Sequence, residues 1–176
     1  MEIDDSGKVA EKESNIKVKP KQKVTVKKKI DSKSAAQTNK SEHAVITDIE
    51  GIGPKYGEAL TKAGIETVEQ LLDQCATADA REKCAEATGL NIKSLERWVK
   101  MSDFFRLPGV GGNEAELLEV SGYNNVADLA VAAAGDVLSK LQATNTEKSL
   151  APSVPEKSVI ESWISQAKSL PAKLAS

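Results

Sequence analysis

The residues best suited to chemistry in this chain lie in two glycine-flanked turns, Gly51-Ile52-Gly53-Pro54-Lys55 and Gly109-Val110-Gly111-Gly112-Asn113. Glycine permits positive φ and lets the backbone approach another group closely. The Ile or Val between the glycines is suited to plug into a core, and Pro54 suits the first turn of a helix, where its missing N–H costs nothing. Such a turn aims free amides and the positive end of a helix outward, which makes a site for a phosphate oxygen. Amides of this kind touch the nucleic-acid backbone and not the bases, so recognition through them is independent of sequence. The stretch GIGPK is not a nucleotide-binding P-loop, because it lacks GxxxxGK[ST] and follows no strand.

Other chemistry is poorly supplied. His43 is the only histidine, and Cys75 and Cys84 have neither CxxC spacing nor a histidine beside them. A Ser-His-Asp triad or a multi-histidine metal centre has no basis here, so the expectation is a protein that is not an enzyme and needs neither cofactor nor metal. The cysteines are expected to be structural thiols in a reducing compartment. Aromatic residues are only 3% of the chain, which leaves the core to Ala, Leu, Val and Ile. No run approaches the ~18 apolar residues of a membrane span. Met1–Asp5 is acidic and lacks an apolar segment, which argues against a secretory leader. The expected location is cytoplasmic, associated with the nucleoid if the partner is DNA.

The net charge of −2 conceals a division between two regions. Residues 1–40 hold eleven lysines against six acids for a net +5, and the remainder carries thirteen cations against twenty acids for a net −7. Ile16–Ile30 holds seven lysines (Lys17, Lys19, Lys21, Lys23, Lys27, Lys28 and Lys29) and no acid. With so little apolar surface to bury, residues 1–42 are expected to form a disordered arm. Such an arm can hold a polyanion, or can solubilise or localise the body.

From His43 onward the pattern is helical. Helices are expected over Ala44–Glu50, Pro54–Ala63, Thr67–Gln74, Asp79–Thr88, Ile92–Phe105, Asn113–Val120, Val126–Ala133, Asp136–Ala143 and Pro155–Leu170, with no strand. Glu50–Leu72 aligns with Pro108–Ala130 at an offset of 58 residues, and Trp98 aligns with Trp163 at 65. The second copy therefore holds about seven extra residues, assigned to the LAPSVP loop at Leu150–Pro155. Two copies suggest a pseudo-symmetric pair around one core. Trp98, Trp163, Phe104, Phe105 and Tyr123 are expected to be core residues. The organisation read from this pattern is an arm over 1–42, repeats over 43–105 and 106–171, and a tail over 172–176.

Both turns resemble the helix-hairpin-helix motif, apolar-x-x-Gly-apolar-Gly followed by a helix. The segment Ala63–Leu72 is similar to the stretch after the hairpin in the C-terminal domain of the bacterial RNA polymerase α subunit. Ile46–Pro171 most resembles the bacterial domain-of-unknown-function 4332 group of tandem helix-hairpin-helix proteins. The resemblance implies an all-α fold of two helix-hairpin-helix repeats packed into one compact domain, and non-specific binding to DNA or RNA backbone. Carried over, Gly51, Ile52 and Gly53 form a first phosphate loop with Lys55 and Lys62 as its cations. Gly109, Val110 and Gly111 form a second loop, with Arg106 nearby. The second loop departs from the pattern, because Asn113 replaces the lysine and Glu114, Glu116 and Glu119 follow it. The alternative function is a protein-interaction adaptor in which the acidic hairpins dock a protein partner.

Most salt-sensitive affinity for polyanions is expected in Lys17–Lys29. Each neutralised phosphate contributes about 0.9 to the slope of log K against log salt on duplex DNA. Deleting residues 1–41 should lower that slope by several units in titrations at a series of salt concentrations. An unchanged slope would locate the binding charge on the body instead.

Overall fold

The computed structural model describes residues 44–174, and the lysine-rich arm lies outside the described residues. Among those residues the body is all-α. A 3₁₀ turn, Ile46–Asp48, is followed by α1 Pro54–Lys62, α2 Val68–Gln74, α3 Ala78–Thr88, α4 Ile92–Phe104, α5 Gly112–Val120, α6 Val126–Ala130, α7 Ala134–Lys148 and α8 Lys157–Ala167. The helix expected at Ala44–Glu50 is only that 3₁₀ turn. The reason is tertiary: Val45 forms an isolated antiparallel bridge with Thr67, Ile46 N–H donates to Glu66 O (2.9 Å) and Val68 N–H donates to Ala44 O (3.0 Å). These bonds hold Val45 extended, where a helix would need it coiled.

The packing recurs in order. Helix α1 meets α3, α2 meets α4 and α3 meets α4; α5 meets α7, α6 meets α8 and α7 meets α8 in the same way. Ile46, Ile49 and Ile52 in the first turn match Phe104, Leu107 and Val110 in the second, and all six are buried in a single core cluster. Leu60, Ile65, Val68 and Leu71 match buried Leu118, Tyr123, Val126 and Leu129. Both α1 and α5 end in the bond pattern of a Schellman motif, with Ile65 N–H on Leu60 O (2.9 Å) and Tyr123 N–H on Leu118 O (3.1 Å). Both following helices start in reciprocal caps. Thr67 Oγ1 accepts from Gln70 N–H while Gln70 Oε1 accepts from Glu66 N–H, and Asn125 and Asp128 do the same at α6.

The extra residues of the second copy are not confined to the expected loop. Helix α7 has 15 residues against 11 in α3, and the α7–α8 connection is Ser149–Glu156 against Gly89–Asn91 in the first copy. Asn145 pins this longer connection by accepting from Ala151 N–H (2.9 Å) and donating to Ala151 O (3.0 Å). The segment after Pro171 is also packed: Leu174 is buried, and Lys173 pairs with Asp73 at 2.5 Å.

The turns touch one another at Gly112. A Cβ there would lie 2.5 Å from Asp48 O and 3.4 Å from Glu50 Cγ. Gly135, in α7, has nothing within 4 Å of its Cβ position. Gly112→Ala should therefore cost about 1–3 kcal/mol through overpacking. Gly135→Ala should gain up to about 1 kcal/mol from helix propensity. Urea denaturation of the two variants checks the pair, and equal effects would contradict this contact.

Candidate nucleic-acid interface

The two turns share a backbone. Gly51 and Gly109 have φ of +87° and +86°, a region that disfavours side chains. Ile52 N–H and Val110 N–H each donate 3.1 Å back to Ile49 O and Leu107 O, which turns both apolar side chains into the core. Beneath each glycine lies the tryptophan of its own repeat. A Cβ on Gly51 would sit 3.2 Å from Trp98 Nε1, and one on Gly109 would sit 4.0 Å from Trp163 Nε1. The tryptophans are core anchors as expected, being 4% and 1% exposed. They also set the height of each turn, which their spacing in the sequence did not reveal.

Beyond the second glycine the turns part. Gly53 is exposed, and no acceptor among the described residues takes the N–H of Gly53, Lys55 or Tyr56 at the start of α1. Gly111 N–H instead donates to Glu114 Oε2 at 3.0 Å. In the second turn, therefore, the chain's own carboxylate takes the first amide, while the N–H groups of Gly112, Asn113 and Glu114 find no acceptor among the described residues. Helix N-termini favour such a carboxylate by electrostatics alone.

The charges around the turns are also committed differently. Lys55 and Lys62 are exposed on α1, outside the ion pairs of the described residues. Seven residues apart, they share one helix face at about 10 Å separation. Arg106, expected as the cation of the second loop, is held inside the body. It pairs with Asp103 at 2.7 Å and donates to Pro171 O at 2.8 Å. Glu116 and Glu119 are bound by Arg97 of α4 at 2.7 and 2.8 Å. Burial acts against that guanidinium, but the two glutamates outweigh it and raise its pKa above the ordinary value. The three acids of α5 are thus one cap and one interhelical clamp.

Tyr56 escaped the sequence reading. Its ring lies 42% exposed beside Lys55 and tilts against Trp98, with centroids 5.4 Å apart. The signal was an aromatic residue after the lysine with Glu114 at the matching position. Lys17, Lys19, Lys21, Lys23, Lys27, Lys28 and Lys29 lie outside the described residues. Burial, and then the neighbouring Cys84, push the Cys75 thiol up to about 12, so it stays protonated at neutral pH. Among the described residues no group of three His, Cys, Asp or Glu is placed to hold a metal, and no helix is long and apolar enough to cross a membrane.

These environments set an order of stability effects. Lys55→Ala should change stability by less than about 0.5 kcal/mol as a surface substitution. Glu114→Ala should cost about 1 kcal/mol through the lost cap. Arg106→Ala should cost about 3–5 kcal/mol, because Asp103 loses its partner while buried. Thermal melts of the three variants check the order, and a neutral Arg106→Ala would show that guanidinium to be free.

One protein-family model, described as Domain of unknown function (DUF4332), matches residues 50–170. No curated protein and no solved structure matches the chain.

Proposed function

The chain belongs to this family of unknown function, and we propose that it is a non-catalytic nucleic-acid-associated protein. In this reading it holds the phosphate backbone of DNA or RNA, without sequence specificity, through the first turn and the lysine arm. The observation that carries the reading is the difference at the second glycine: Gly53 N–H open with Lys55 beside it in one copy, and Gly111 N–H capped by Glu114 with Asn113 beside it in the other. Free N–H groups, a helix N-terminus and a cation together suit a phosphate oxygen. The helix-hairpin-helix character of both turns belongs to this proposal, with the second turn serving as scaffold. An acidic body also needs the arm, since its net charge repels a polyanion unless local cations offset it.

The test is a titration of the full chain and its variants with duplex DNA, single-stranded DNA and RNA at two salt concentrations. Lys55→Glu should weaken binding several-fold and lower the salt slope by about 1, the value of one phosphate contact. Asn113→Lys should gain little while Glu114 holds Gly111, and should gain clearly when combined with Glu114→Ala. If Lys55→Glu and the double variant both leave affinity unchanged, the turns are scaffold and the adaptor function takes the place of this one.

A further inference from the structure

We propose that the cleft beside the first turn receives an unpaired nucleobase, so that the nucleic acid held there is single-stranded. The inference rests on the phosphate-binding function above and narrows its ligand. The cleft measures about 350 Å³ and runs between α1 and the α3–α4 connection, lined by Lys55, Tyr56, Asn91, Ser94 and Trp98 among others. That volume accommodates a planar ring with its sugar, and the lining includes Lys55, whose own N–H has no acceptor among the described residues.

Its walls match a nucleobase in two respects, the Tyr56 ring and the Asn91 amide. Tyr56 is an exposed aromatic ring in the lining, tilted at 48° against the Trp98 ring with centroids 5.4 Å apart. Stacking on such a face is tolerant of base identity, consistent with recognition that ignores sequence. Trp98 Nε1 lies at the Gly51 end of the site, 3.2 Å from where a Cβ on Gly51 would sit, whereas the buried indole nitrogen without a partner among the described residues is that of Trp163. Asn91 uses its Oδ1 to accept from Lys93 N–H at 2.9 Å, which leaves its amide nitrogen free to donate to a base edge. Lys55 lies on the rim of the same cleft, one residue from the aromatic platform, so phosphate and base contacts fall to neighbouring side chains.

A base inside a duplex is stacked and paired and cannot enter such a cleft, whereas an unpaired base can. The second repeat serves as an internal contrast. Its counterpart of Tyr56 is Glu114, turned onto Gly111 N–H, so the same backbone there carries no stacking surface.

The full chain is titrated with a dodecamer of thymidylate, a dodecamer of uridylate, an abasic DNA dodecamer of equal charge and a duplex dodecamer. Wild type should bind the base-bearing single strands more tightly than the abasic strand and should show tryptophan quenching on binding them. Tyr56→Ala should weaken the base-bearing strands by about tenfold, within the range for one stacked base. It should leave the abasic strand and the duplex within twofold. Tyr56→Phe should retain wild-type affinity, and melts of both variants separate loss of stacking from loss of fold. The thymidylate and uridylate arms distinguish DNA from RNA as the source of the base. Equal binding of abasic and base-bearing strands, unaffected by Tyr56→Ala, overturns the cleft proposal and leaves phosphate binding standing. Absence of binding to every polyanion overturns both.

Discussion

Asp103 lies at the end of α4 with 1% of its surface exposed, and a carboxylate so placed is destabilising unless it is both paired and hydrogen-bonded. Its two oxygens meet that demand from different parts of the fold. Oδ2 accepts from Val126 N–H at 2.7 Å at the start of α6, and Oδ1 takes the Arg106 guanidinium at 2.7 Å. Arg106 in turn reaches Pro171 O, beyond α8. The end of the first repeat, the second helix of the next and the C-terminal segment are therefore fixed by one charge. Arg97 with Glu116 and Glu119 acts as an outer clamp on the same α4–α5 junction.

Once that junction is fixed, the two copies hold nearly the same backbone and differ in what they leave free. Both tuck an apolar residue beneath the turn and set a tryptophan under the first glycine. At the turns themselves the divergence lies in a few side chains on α1 and α5. Tyr56 against Glu114 exchanges an open aromatic face for a carboxylate that closes the turn on itself. Lys55 against Asn113 exchanges a charge for a neutral amide. Neither exchange disturbs the core, since each lies on the first turn of a helix whose buried side is carried by Leu60 or Leu118.

The parts legible in sequence were those governed by local rules. Helix periodicity and the 58-residue offset survive in the structure, because they depend on one-sided burial, whereas positive φ holds for the first glycine of each turn and not for Gly53 or Gly111, at −77° and −112°. The paired caps Thr67–Gln70 and Asn125–Asp128 were equally local and were overlooked. What sequence did not disclose was long-range. Ala44–Glu50 has apolar residues at helical spacing, yet bonds to Glu66 and Val68 hold its start extended. Arg106 looks like a free cation until α6 and Pro171 are folded around it. Glu116 and Glu119 look repulsive to a polyanion until Arg97, about twenty residues earlier, neutralises them. A count of charges along the chain set the second turn apart from the first, and the structure adds a geometric difference, Glu114 on Gly111 N–H.

That closure constrains how the proposed function could operate. Two hairpins that both face a duplex can grip its backbone at two points, so each contributes amides and a helix end. With one turn capped internally, a second grip of that kind requires Gly111 to release a carboxylate held within its own helix start, at a cost of about 1 kcal/mol before any phosphate arrives. A single open turn with one adjacent lysine supplies little affinity by itself. Within the proposed function the remaining affinity must come from charges outside the described residues or from a contact of a different kind. The lysine arm offers the first, through counterion release that needs no defined geometry. Tyr56 offers the second, because stacking does not depend on net charge and so is available even on an acidic body. The asymmetry of the turns thus favours a flexible single strand, which can bend one phosphate and one base into adjoining sites, over a rigid duplex that would need two matched turns.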